Sequence, residues 1–181
     1  MSSSESYTAF MMDKACGSLS PGLDLAADIH VAMNVDGYRC AMEWNVIGGA
    51  LFELEPRTAM TTTRRRPRMP ATHLNVDEIL STDFETLNWR SSFGGVGVAR
   101  TGVANTHFMQ LGPDQKTPAH GHSALEATVV LEGALDVNGI VYERGDLALG
   151  VPGDRHQPAA HGTERCICFV AQDKKPFWRF T

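Results

Sequence analysis

Apolar residues recur at every third or fourth position through the first 56 residues, and this period is typical of amphipathic helices. A first helix is predicted by the spacing of Tyr7, Phe10, Met11 and Ala15, and Gly17 is a typical residue to end it. Ser20-Pro21 predicts the start of a second helix, and Asp36-Gly37 predicts a break before a third helix that continues to Pro56. Helices this short are marginal alone, so we expect their apolar faces to pack together or on a partner.

Residues 58–73 have no apolar period and contain two prolines and a run of Thr and Arg, which is the composition of a linker. Asn75 and Glu78 then have the spacing of a capping box, which predicts one short helix over 76–81. We therefore expect a helical domain at 1–57, a linker at 58–75 and a second domain at 76–181.

After Trp89 the period changes to that of β-strands. Asn138-Gly139 is a strong signal for a two-residue hairpin between two of the runs. Many short strands with frequent turns predict a sandwich or barrel, so the predicted fold class is α+β, helices first. The predicted strands are Val96 with Val98, His107 to Leu111, Thr128 to Leu131, Leu135 with Val137, Ile140 to Tyr142, Leu147 to Val151, and Cys166 to Val170.

Composition narrows the function classes. The chain has 181 residues with 43% hydrophobic and 20% charged residues, which is ordinary for a globular protein. It has no apolar run of the ~20 residues that span a bilayer and no signal peptide pattern, so we expect a cytoplasmic protein without a membrane partner. Residues 1–60 carry 3 Lys and Arg against 8 Asp and Glu, whereas 61–75 carry four arginines and no acid. This distribution argues against direct nucleic-acid binding but suits a basic protein partner for the helical part.

A group of residues within the predicted strands has the chemistry of a metal site. His120 and His122 are two residues apart, so on a strand both side chains point to one side, and Glu126 faces that side as well if the strand continues. His156 follows a hairpin and a Pro-Gly turn that can bring it across a barrel. Three imidazoles and one carboxylate suit a divalent metal and leave one or two positions open.

Four further side chains have simpler interpretations. Cys166 and Cys168 point to one face of their strand, and we expect structural burial, with redox sensing as an alternative if that face is the metal cavity. His107 is expected in the core or in a cavity wall, and His161 in a solvated loop over 159–163.

The metal-site residues match both motifs of the cupin family. The first, G(x)nHxH(x)3,4E(x)6G, is found from Gly112 to Gly133. The second, G(x)nPxG(x)2H, is found from Gly145 to His156, with proline and glycine adjacent. The resemblance implies a double-stranded β-helix (jelly-roll) with a metal in its mouth. The run from Asp154 to Pro158, with Cys166 and Cys168, resembles the C-terminal cupin of ChrR-type anti-sigma factors, which regulate extracytoplasmic-function sigma factors.

The helical segment extends this resemblance, with a large departure. Gly17 to Pro21 and the helix that contains His30 are similar to the zinc-binding anti-sigma domain of that family, in which a further histidine joins H-x3-C-x2-C. His30 stands at the motif histidine, but Asn34 and Gly37 stand at the two cysteines and Glu5 lies near the other histidine. Asn and Gly cannot replace two thiolates, so we do not expect a closed zinc site here.

The resemblance implies a regulator that binds a sigma factor through residues 1–57 and senses an oxidant or small molecule at the cupin metal. It also implies one metal ion per chain, zinc by resemblance, with iron, manganese or nickel as alternatives, held by His120, His122, Glu126 and His156. Two other functions stay open. One is a cupin metalloenzyme of dioxygenase type that acts on a small organic substrate, and the other is a non-catalytic homo-oligomeric binding protein.

Overall fold

A computed structural model describes residues 3–54 and 75–173 of the chain. Residues 58–74 of the predicted linker, Pro56 and the residues after Asp173 lie outside these ranges. Four helices come first in the described chain: α1 (Ser3–Cys16), α2 (Pro21–Met33), α3 (Val35–Leu54) and α4 (Val76–Leu80). No described helix has both the length and the apolar composition needed to cross a membrane.

Local signals explain most of the helix ends. Gly17 has a φ of +67°, which allows the chain to turn after α1, and Pro21 occupies the first turn of α2. Asn75 and Glu78 form the predicted capping box at the start of α4. The predicted break at Asp36-Gly37 is wrong, because both residues lie inside α3.

The boundary between α2 and α3 falls at Asn34 instead, for a reason that involves its side chain. The Asn34 Oδ1 atom accepts hydrogen bonds from the backbone N–H groups of Asp36 and Gly37, each at 2.9 Å. This is the bonding of an N-cap residue, and it allows a new helix to begin directly after α2 ends.

Eleven strands and two short 3-10 helices follow in the described chain, and the strands form three antiparallel sheets. The order of the six-stranded sheet is β1-β2-β3-β11-β5-β8, that of the three-stranded sheet is β10-β6-β7, and β4 pairs with β9. The strands are β1 (Arg90–Ser91), β2 (Gly97–Arg100), β3 (Thr106–Leu111), β4 (His120–Gly121), β5 (Glu126–Glu132), β6 (Ala134–Val137), β7 (Ile140–Tyr142), β8 (Leu147–Gly150), β9 (Arg155–His156), β10 (Ala159–His161) and β11 (Cys166–Gln172). All seven predicted strand runs are present.

The hairpin between β6 and β7 is confirmed. Asn138 and Gly139 have φ values of +55° and +82°, the left-handed conformation that a two-residue hairpin of this kind requires. The predicted loop at 159–163 is partly wrong, since β10 takes up Ala159–His161 and pairs with β6.

Alternation along β11 divides the apolar core into two clusters. Ile167, Phe169 and Ala171 face the helices and belong to one buried cluster with Leu23 and Ile29 of α2. Cys168 and Val170, which lie between these residues, face the other sheet. They form the interior of the cupin-like domain together with Met109, Leu111, Val130 and Leu135. The helices therefore cover the outer face of the six-stranded sheet and leave its inner face to the candidate site.

Candidate metal centre

Two very short strands position the histidines. β4 and β9 pair so that His120 lies directly opposite His156. His122 is held beside the next turn, because its backbone N–H donates to Asp154 O at 3.1 Å and its carbonyl accepts from Gly153 N at 3.0 Å. Gly153 has a φ of +95°, so the Pro-Gly turn depends on a glycine at this position.

The three imidazoles converge through the same ring nitrogen. The Nε2 atom of His156 lies 2.7 Å from Nε2 of His122 and 2.9 Å from Nε2 of His120. The carboxylate of Glu126 lies 3.9 Å from Nδ1 of His122 and 4.0 Å from Nε2 of His156. One ligand atom from each of the four residues lies within 4.8 Å of the others, so all four predicted residues come together.

Hydrogen bonds and burial orient these groups towards one point. The Nδ1 atom of His120 donates to Pro118 O at 2.9 Å, which directs its Nε2 atom towards the other imidazoles. Burial, followed by the neighbouring rings of His122 and His120, lowers the pKa of His156 to about 4. Glu126 is 6% exposed and accepts a hydrogen bond from the Gln172 side chain. Neutral imidazoles with one oriented carboxylate form a donor set that can bind a divalent metal.

Glu126 reaches the cluster by a route that the spacing did not predict. The strand that carries His120 ends at Gly121, and Glu126 begins the separate strand β5, so the condition of a continuous strand is not met. Gly150 on β8 is a contributor that the sequence analysis missed. A β-carbon at Gly150 would lie 2.7 Å from Nε2 of His122, and a glycine inside a strand is the signal for such a close approach.

The cysteine pair lies in the interior of the cupin-like domain. Cys166 and Cys168 are 1% and 0% exposed, and their Sγ atoms are 3.5 Å apart. The hydrogen bond with Cys166, together with burial, raises the pKa of Cys168 well above the usual thiol value. A protonated, buried thiol is unreactive, so structural burial is the better description of this pair.

A cavity of about 440 Å³ adjoins the cluster, with His120 and Glu126 in its wall. His107 also lines it, as expected for a cavity-wall residue, and burial lowers the pKa of this histidine. His161 is exposed at the end of β10. The sequence analysis did not predict the cavity, because residues from β2, β3, β5 and β11 contribute to it together.

The positions that the family resemblance compares with zinc ligands have a different arrangement in the helical part. His30 is 4% exposed, donates from Nδ1 to Gly145 O at 2.7 Å, and accepts at Nε2 from the Tyr7 hydroxyl at 2.9 Å. Asn34 donates from Nδ2 to Asp146 Oδ1 at 2.8 Å. A β-carbon at Gly37 would lie 2.6 Å from Nε2 of His30, so this glycine leaves the space that the imidazole occupies. These residues connect the helices to the turn between β7 and β8.

The antiparallel sheets that follow the helices, with three histidines and one glutamate clustered at one site, have the architecture of a cupin domain. The model of the ChrR cupin-like domain family matches residues 78–176, more than half of the chain. The chain therefore belongs to the ChrR cupin-like family.

Two relatives extend the likeness to the helices. The anti-sigma-E factor ChrR of Cereibacter sphaeroides is 26% identical over 188 residues, which covers 91% of this chain and 87% of that protein. The crystal structure of Rhodobacter sphaeroides SigE in complex with the anti-sigma ChrR matches with a TM-score of 0.74 and 25% identity, and covers 92% of this chain and 96% of the matched chain. This chain is thus similar to ChrR in its helices as well as in its cupin domain.

Proposed function

We propose that this chain is an anti-sigma factor that binds an extracytoplasmic-function sigma factor through its helical part, residues 1–57, and holds one divalent metal in its cupin domain. The observation that carries the proposal is the likeness over 92% of the chain to the ChrR structure, which was solved as a complex with SigE. A sigma factor acts on RNA polymerase, so the complex is assigned to the cytoplasm.

An exposed apolar stripe on α3 supports a protein partner. Val35, Tyr38, Met42 and Val46 follow one another at helical spacing and are 74%, 56%, 39% and 72% exposed. Large apolar side chains grouped on one helix face are typical of an interaction surface. The excess of acidic residues in the first 60 positions suits a basic partner.

The four-residue cluster supports the metal. His120, His122 and His156 supply nitrogen ligands, and Glu126 supplies a carboxylate oxygen, which is the donor set of zinc and of other borderline divalent metals. Zinc is proposed because the resemblance implies it. When bound, the metal supplies a Lewis-acidic centre at the cavity, where an oxidant or small molecule is sensed.

Co-expression of the full chain with the sigma factor encoded beside its gene tests the proposal. The two proteins should co-purify, and Val46→Asp should weaken the complex about thirtyfold or more, because a charge would enter an apolar contact. Ile140→Asp is the matched control, since Ile140 is 52% exposed on β7, far from α3 in the chain. If the intact protein binds no sigma factor of its host, the regulatory function is wrong.

The adjacent cavity also favours the enzymatic alternative, because a small substrate has room beside the metal. Oxygen consumption by the metal-loaded protein with candidate organic substrates, together with a failure to bind a sigma factor, would support a dioxygenase-like enzyme instead.

A further inference from the structure

The cavity beside the candidate metal cluster has the size and the wall of a ligand pocket. Its volume of about 440 Å³ lies within the range of roughly 300–1,000 Å³ that is usual for small-molecule sites. Part of the wall consists of His120 and Glu126 from the cluster. Most of the remainder is apolar and includes Val96, Val98, Met109, Pro158 and Val170.

One polar group in the wall has no partner. Thr117 is 6% exposed, and its hydroxyl oxygen is buried without a hydrogen bond to any described residue. A buried hydroxyl left in this state is unfavourable, so a partner for it would stabilise the protein. Thr117 lines the cavity and precedes His120 by three residues. Its hydroxyl oxygen is closed to water, so a change of χ1 rotamer would be needed to present it to a polar atom of a bound molecule near the cluster.

Charge determines what kind of polar atom fits. A divalent ion with three neutral imidazoles and the Glu126 carboxylate leaves a net charge of +1 at the cluster. The cavity wall contains no Lys or Arg among the described residues that line it, so the metal is the cationic group that an anion meets there. A ligand that balances this charge and also fills an apolar cavity has one anionic end and a hydrocarbon body.

We propose that the cavity binds an amphipathic monocarboxylate of medium chain length. Its carboxylate faces the metal and accepts a hydrogen bond from the Thr117 hydroxyl, and its hydrocarbon part lies against Val98, Met109 and Val170. The inference rests on the proposed metal site, since the Glu126 carboxylate without a metal would repel the ligand.

Titration calorimetry of the full chain with octanoate tests the inference. Zinc-loaded protein should bind one octanoate per chain, on the order of a hundredfold more tightly than acetate, because the six additional methylenes are buried. Octanol and zinc-free protein with octanoate should each give much weaker binding. Equal binding of octanoate with and without metal, or no preference over acetate, would overturn the proposal.

Two variants probe the wall by different means. Thr117→Val should retain zinc and lose about five- to tenfold in octanoate affinity, because it removes the hydroxyl and conserves the volume. Val98→Trp should fill the cavity and abolish octanoate binding while the zinc content stays near one per chain. Thr163→Val, in an exposed turn, is the matched control for Thr117. Unchanged octanoate affinity in both wall variants would contradict the proposed position.

Zinc content and sigma-factor binding are measured on the same samples. Protein that holds zinc and binds a sigma factor but not octanoate refutes this inference alone. Protein that holds no zinc refutes the metal part of the proposed function and this inference with it, so the two failures are distinguishable.

Discussion

Two buried histidines each lie against a glycine that leaves space for them. The Nε2 atom of His30 would be 2.6 Å from a β-carbon at Gly37, and Nε2 of His122 would be 2.7 Å from one at Gly150. Neither glycine has a positive φ, so neither is needed for its backbone conformation. Their role is steric, and each should tolerate alanine poorly.

We expect Gly37→Ala to destabilise the protein by about 1–3 kcal/mol, because the added methyl displaces the His30 ring from its hydrogen bonds. Gly48→Ala is the control in the same helix. A β-carbon at Gly48 meets nothing within 4 Å, so this change should stabilise the protein by about 0.5–1 kcal/mol through helix propensity. Urea denaturation measures both changes. Stabilisation of similar size in both variants would mean that His30 yields its position freely.

The metal ligands provide a second prediction at this scale. His122→Ala or His156→Ala should lower the zinc content from about one per chain to near zero, because the remaining donors are too few. The far-ultraviolet circular dichroism spectrum should stay close to that of the wild type, since the interior is apolar. His161→Ala, at an exposed histidine, should keep its zinc. Global unfolding of the ligand variants would show that the metal maintains the fold.

The sequence predicted the four cluster residues because their identities and spacing are a local signal. His120, His122 and Glu126 lie within seven positions, and His156 follows a recognisable turn. Gly150 and Thr117 could not be found in this way. Their roles depend on which atoms lie beside them, and those atoms come from other strands or from a ligand.

At the scale of elements, the junction between α2 and α3 makes polar contacts with the turn before β8. Asn34 caps α3 through its oxygen and donates to Asp146 through its nitrogen. The Asp146 carboxylate also accepts from the backbone N–H of Glu143 at 2.8 Å, which closes the turn. One side chain thus sets the start of a helix and its attachment to the cupin domain.

Asn34→Asp separates these two roles. The new carboxylate can still cap α3, but it cannot donate a hydrogen bond to Asp146. Two half-buried carboxylates would then face each other. We expect a loss of about 1–3 kcal/mol in unfolding free energy at neutral pH. The double variant Asn34→Asp with Asp146→Asn should recover most of this loss, since the donor is restored from the opposite side. A double-mutant cycle by urea denaturation measures the coupling, and additive effects would mean that the contact contributes nothing.

Element prediction succeeded where the signal was periodic and failed where a side chain decided the outcome. All seven strand runs were visible as β-rich segments bounded by turn residues. Asp36-Gly37 looks like a helix break, yet the Asn34 cap allows both residues into α3. Ala159–His161 has too little β propensity to be recognised, and its pairing with β6 makes it a strand.

At the scale of the whole molecule, the helices and the cupin domain share a core. Leu23, Ala26 and Ile29 of α2 are 1%, 0% and 0% exposed in a cluster that includes Phe169 of β11. The sequence showed that the helices needed a surface to cover. It could not show which surface, because residues from both ends of the chain form this cluster.

The buried histidine at this junction makes stability depend on pH. Burial lowers the pKa of His30, so below the unfolded value of about 6.5 the unfolded chain binds a proton that the folded chain does not. Stability should therefore fall as the pH decreases from about 7 towards 5. His30→Gln should be less stable at pH 7 but lose less between these pH values. Urea midpoints of metal-free protein measure both, and an equal loss in the variant would assign the effect to other groups.

The shared core also predicts that the described helices and the cupin domain unfold together. Calorimetry of the full chain should give one transition, with calorimetric and van't Hoff enthalpies in agreement. Ala26→Asp should lower the free energy of unfolding by at least about 3 kcal/mol, because it places a charge in the shared cluster. The whole transition should therefore move to lower temperature. Ala50→Asp, on an exposed position of α3, should move it little. A second transition that stays unchanged in Ala26→Asp would show that the cupin domain folds independently of the helices.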